Sequence, residues 1–148
     1  VARSASETAL LALGAALAAI LLGIGVASGE MIRHIVQATP IGLLTLLALA
    51  RPAWTRWLLG PIFAFWLLIA ICIGLFLAGL PSPIDGTFNP AERSLTLALA
   101  VVSLAALAQF PRIRRPWPLW RGAALAAAAL TLQIGALALS LLPGIAHR

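Results

Sequence analysis

The sequence predicts an all-α integral membrane protein, a bundle of five transmembrane helices forming one domain over residues 1–148. Three observations carry that expectation. Apolar residues make up 62% of the chain and charged residues only 9%, too few charges to cover a soluble domain of this size. The apolar residues fall in continuous runs of about 20, the length that crosses a hydrocarbon core of about 30 Å as a helix. They do not alternate, which argues against a transmembrane β-barrel. The basic residues, all of them arginine, gather at the ends of these runs.

The first run, Ala9 to Ala27, follows Ser4-Ala5-Ser6-Glu7. That is a capping box, in which serine and glutamate satisfy amides that the first helical turn leaves unpaired. With about 19 apolar residues and little flanking positive charge, the run reads as a span rather than a signal peptide. Ala15, Ala19, Gly23 and Ala27 recur at intervals of four, a smooth ridge against which another helix can pack closely, in this chain or in another subunit.

The second run, Met31 to Ala50, is the weakest, because Arg33 and His34 lie in its first turn and Pro40 in its middle. Four spans, with this run partly in the interface, are the alternative. Pro40 has no amide to donate, so the Val36 carbonyl loses its usual partner and a bend is expected. The third run, Trp57 to Leu80, contains the single cysteine, Cys72, between Ile71 and Ile73. No neighbour there would make it a reactive thiolate, so it reads as packing. A turn-rich stretch from Leu80 to Pro90 leads to the fourth run, Arg93 to Phe110. Asn89 as N-cap, Pro90 at the first helical position and Glu92 three residues after the cap mark its start. The fifth run, Gly122 to Leu142, repeats the smooth ridge with Ala123, Ala127, Thr131 and Gly135. It also carries Gln133, an amide that needs a partner on another helix; Gln37 is one if the second and fifth runs touch.

Five spans put Arg3, Arg51, Arg56, Arg112, Arg114, Arg115 and Arg121 on one side. The other side receives Arg33, Arg93 and Arg148 with Glu30, Asp85 and Glu92. By the positive-inside rule the first group is cytoplasmic, with the N-terminus. A formal charge of +6 would suggest nucleic acid in a soluble protein, but arginines at the ends of apolar runs have a topological role instead. Arg112, Arg114, Arg115, Trp117, Trp120 and Arg121 form a Trp/Arg-rich break. It suits contact with anionic headgroups, or with a partner subunit. The alanine, leucine and arginine bias without lysine points to a GC-rich bacterium and hence to its inner membrane.

One cluster stands out as a candidate site. Glu30, Arg33, His34 and Gln37, spaced by three, four and seven, share one helical face. Ionisable groups at membrane depth are costly and often functional. The stripe is suited to a quinone headgroup, to a proton relay, or to haem or chlorophyll held through His34. The competing reading is that these side chains lie near the outer surface and snorkel to water. His147, the other histidine, would allow a bis-histidine haem, although it is next to last in the chain. The sequence holds no Cys/His metal spacing, paired carboxylate within a span, or phosphate loop. Ser103, Ser140, Thr45 and Thr96 are lone hydroxyls expected to bond back to helix carbonyls.

The expected function is therefore an accessory or structural subunit of a larger bacterial inner-membrane complex, without catalysis of its own. Two alternatives stay open: a redox or pigment-associated protein using the Glu30 to Gln37 stripe, and a small oligomeric transporter.

Overall fold

The structure, a computed structural model, describes residues 3–113 and 118–145. Among these the regular elements are helices: α1 (Ala5–Ser28), α2 (Met31–Ala50), α3 (Thr55–Leu77), α4 (Pro90–Leu107) and α5 (Leu119–Ser140). Short 3-10 turns at Pro52–Trp54 and Phe110–Arg112 precede α3 and follow α4. All five helices are long and apolar enough to cross a membrane. The second run is a complete helix of 20 residues, long and apolar enough to be a fifth span. Pro40 and Pro61 lie inside α2 and α3, and both helices continue through them.

Local chemistry sets the boundaries. At the start of α1, Glu7 N donates to Ser4 Oγ at 3.2 Å and Ser4 N to Glu7 Oε2 at 2.9 Å, closing the expected capping box. Gly29, at φ 73°, ends α1. Only Gly29 and Glu30 then separate it from α2, so the two helices form a tight antiparallel hairpin. α3 ends in a Schellman motif: Gly79 N bonds to Phe76 O and Leu80 N to Leu75 O, with Gly79 at φ 71°. α4 opens on the reciprocal Asn89–Glu92 pair, with bonds of 2.7 and 2.9 Å.

Around the bundle the helices follow the order α1, α2, α5, α3, α4 and back to α1, with α2 also touching α3 across the ring. Leu10, Leu17 and Leu21 of α1 meet Ile41 of α2 and Ile62 and Phe63 of α3 in the core. Outside, large aliphatic side chains such as Val26, Ile32, Leu46, Leu68, Leu97 and Val101 are exposed. A soluble protein would place polar groups there.

Of the two small-residue ridges, expected to pack in this chain or in another subunit, the first meets α4 at Gly23, where a Cβ would stand 3.5 Å from Leu95. Ala15 and Ala19 face outward, and Ala123, Ala127, Thr131 and Gly135 are all exposed. Close approach of α1 to α2 occurs instead at Gly14 and Gly25. A Cβ at Gly14 would stand 2.6 Å from Thr45 Oγ1, and one at Gly25 would stand 2.9 Å from His34 Cβ. Small residues every fourth position make a face smooth without fixing which way it turns.

The connections sort charge to the two ends. Arg3, Arg51, Arg56, Arg112 and Arg121 gather at one, hereafter the basic end; Glu30, Arg33, Asp85, Glu92 and Arg93 lie at the other. The basic end is stitched shut. Arg3 donates to the carbonyls of Ala48, at 3.3 Å, and Leu49, covering orphan acceptors at the negative end of α2. Arg56 Nη1 donates to the carbonyls of Phe110 and Ile113, each at 3.1 Å. The Phe110 ring occupies the place a side chain at Gly60 would need, and the Trp57 indole does so at Gly122.

Candidate functional site

At the end away from these arginines the helices separate around a cavity of about 360 Å³, lined by residues of all five helices and by the α3–α4 loop. The loop folds back over the bundle because its own side chains hold it there. Ser82 Oγ donates to the Cys72 carbonyl at 2.8 Å, and the Ile84 amide donates to Ser82 Oγ at 3.1 Å. Phe88 leans on Phe76 at 6.1 Å. Asn89 Nδ2 ties the end of the loop to the Ala27 carbonyl at 2.8 Å. Residues 83–88 thereby roof the cavity, with Gly86 at φ 139°, a conformation that favours glycine.

The whole Glu30, Arg33, His34 and Gln37 stripe lines this cavity. Glu30 is 7% and His34 8% exposed, whereas the Arg33 side chain keeps 29% of its surface open. Arg33 Nη1 donates to Glu30 Oε2 at 2.7 Å, one turn along the helix. His34 Nδ1 lies 3.0 Å from the Glu30 backbone oxygen. A carbonyl oxygen only accepts, so Nδ1 carries a proton, and in the neutral imidazole Nε2 keeps its lone pair. No hydrogen bond engages Nε2 among the described residues.

Gln37 joins α2 to α5. Its Nε2 donates to Ser140 Oγ at 2.9 Å, and that hydroxyl donates on to the Leu137 carbonyl at 2.7 Å. Gln133 does meet Gln37, as its depth required, but through the backbone: Gln133 Nε2 donates to the Gln37 carbonyl at 3.2 Å. Thr96, like Ser140, bonds back to a helix carbonyl, that of Glu92 at 2.8 Å. Thr45 and Ser103 do not follow that expectation; their hydroxyls are buried with no partner among the described residues.

Several cavity residues escaped the sequence reading. Glu92, understood only as a capping residue, is 4% exposed and serves as cap and wall at once. Asp85 and Thr87 arrive with the folded-back loop. Three of the four carboxylate residues in the chain therefore line one cavity. Trp66 also lines it and is 3% exposed. Phe65 fixes its indole edge-on, centroids 5.5 Å apart at 86°, and its Nε1–H has no acceptor among the described residues. A tryptophan in mid-run gave no sequence signal separating a cavity wall from core.

Of the Trp/Arg-rich break, Arg112, Trp120 and Arg121 are exposed at the basic end, with the Arg121 guanidinium 5.0 Å from the Trp120 ring. Arg114, Arg115 and Trp117 lie outside the described residues, as does His147. Among the described residues no three His, Cys, Asp or Glu side chains come together to hold a metal ion. No protein-family model, curated protein or solved structure matches the chain.

Proposed function

We propose that this chain is a multi-pass protein of a bacterial inner membrane, an accessory subunit that holds a small amphipathic molecule for a larger assembly. The roofed cavity carries the reading. Its apolar walls and few convergent polar groups have the character of a small-molecule site, and Arg33, His34, Gln37 and Thr96 are each oriented by a hydrogen bond. The outward-facing aliphatic residues support insertion in lipid. The arginines of the basic end support a cytoplasmic N-terminus, which puts the cavity on the opposite side.

Of the ligands considered for His34, a haem or chlorophyll fits least well. The cavity, at about 360 Å³, lies near the lower limit of ligand pockets, which run from about 300 to 1,000 Å³. A tetrapyrrole would have to displace the 83–88 roof. The exposed ridge of Ala123, Ala127, Thr131 and Gly135 on α5 supports the subunit part of the reading, because a neighbouring helix can approach such a face closely.

The test is purification of the tagged protein from its native membranes in mild detergent, with mass spectrometry of co-purifying proteins. Stoichiometric recovery of larger membrane proteins is the expected result. Recovery of this chain alone, as a monomer or homo-oligomer, would overturn the subunit role and return attention to the oligomeric transporter.

A further inference from the structure

We infer that the cavity takes a flat, neutral ring with an oxygen at each end, the chemistry shared by quinones, quinols and diphenols. The inference rests on the ligand-holding reading above and adds the class of ligand. It starts from two polar atoms that the protein leaves unused. His34 Nε2 is an acceptor with its lone pair available, because Nδ1–H is committed to the Glu30 carbonyl. Trp66 Nε1–H is a donor without an acceptor among the described residues. Both side chains line the cavity and both are more than nine-tenths buried. A buried donor that finds no acceptor is costly, and a ligand oxygen relieves that cost.

Their positions set the shape of the occupant. His34 stands in the first turn of α2, beside the cavity mouth. Trp66 lies roughly three turns inside the cavity end of α3. Leu21, Ile24, Ile69, Leu99 and Leu137 give the lining its aliphatic surface, with Gln37 and Thr96 as further polar side chains. An acceptor near the loop end of the cavity and a donor about three turns deeper match a ring whose polar atoms sit at opposite edges. A hydroxyl at one edge donates to His34 Nε2, and an oxygen at the other accepts from Trp66.

Other ligand charges fit less well. An ammonium group brings only donors and leaves the indole N–H unmet. An anion would meet the carboxylates of Glu30, Asp85 and Glu92 in a lining that also holds Arg33 and His34. The ring can come from a tailed membrane quinone or from a soluble diphenol, and the experiment separates these sources.

Purified full-length protein is titrated calorimetrically in detergent with decylubiquinol, with its quinone, and with the tail-less hydroquinone of the same ring. Saturable binding of the quinol is expected. His34→Ala should weaken it about tenfold or more while changing the quinone less, and Trp66→Phe should weaken both by about the same factor. One arm needs no variant: the dimethyl ether of the tail-less or tailed hydroquinone cannot donate to His34, and should bind wild type about tenfold more weakly than its parent. Binding of the tail-less ring as tightly as the tailed one identifies a soluble source; binding of the tailed one alone identifies a membrane quinone.

Equal binding of ether and parent overturns the inference. So does an absence of binding by every ring while the native protein retains another extractable molecule that the cavity-filling variant Ile69→Trp loses; the cavity reading then stands. If no ring binds and the native protein retains no molecule that Ile69→Trp loses, both readings fall.

Discussion

At the basic end, Arg56 reaches from α3 to the carbonyls of Phe110 and Ile113, and aromatic rings fill the space that Gly60 and Gly122 leave by having no side chain. At the other end the same five helices part around about 360 Å³. The two ends also spend polar chemistry differently. Arginines at the basic end donate to orphan carbonyls and so hold connections to helices. In the cavity the Glu30 carboxylate orients Arg33 and the Glu30 backbone carbonyl orients His34, and some atoms stay available. The comparison teaches that one end is built for rigidity and the other for access, although both belong to one bundle with one core.

The largest expected effect comes from filling the glycine seats of the closed end. Gly60→Val and Gly122→Val force the Phe110 and Trp57 rings aside, an overpacking that costs about 1–3 kcal/mol. Unfolding in mixed micelles should show that loss, whereas Gly23→Ala, where a Cβ would meet Leu95 at 3.5 Å, should leave stability nearly unchanged. Equal losses at all three glycines would break the contrast between interlocked and ordinary packing.

Next in size is Arg56→Gln. This variant loses both bonds to the loop after α4, but at a half-buried position the freed carbonyls return partly to water, so the loss should be about 1–2 kcal/mol in all. Arg112→Gln at an exposed position is the control, and the same unfolding measurement should separate the two. A smaller effect is expected at Gln133, which is 0% exposed and has an Oε1 without a partner among the described residues. Gln133→Met exchanges one bond to Gln37 for the removal of that unmet acceptor. Its stability should therefore change by less than about 1 kcal/mol in either direction. Trp120→Ala should change least, within about 0.5 kcal/mol, because the ring is exposed and touches mainly Arg121. A loss there as large as at Arg56 would show that the outer face of the basic end helps hold the bundle together.

Much of the fold could be read from sequence because its signals are local. Met31 to Ala50 was bounded as found, and the other four spans shifted by a few residues at their ends. Both capping boxes, Ser4 to Glu7 and Asn89 to Glu92, stood in the expected places. The polar stripe of α2 was legible because its spacing of three, four and seven fixes a shared face.

Contacts between helices were less legible. A spacing of four could not tell that α1 turns Gly14 and Gly25 toward α2 while Ala15 and Ala19 face outward. Gln133 announced that it needed a partner, but nothing local showed that it would take the Gln37 backbone while the Gln37 side chain took Ser140. Glu92, Asp85 and Trp66 joined the site only because α3 and α4 stand across the ring from the stripe and because Ser82 folds the loop back. Those facts depend on residues far apart in the chain.

The central claim is that the cavity holds a small molecule. The direct measurement is solvent extraction and mass spectrometry of the compounds retained by wild type and by Ile69→Trp, both purified from native membranes. One non-phospholipid compound near stoichiometric amount is expected in wild type and its loss from Ile69→Trp, with the unfolding midpoint of the variant preserved. The same phospholipid background from both proteins, with nothing else retained, would contradict it.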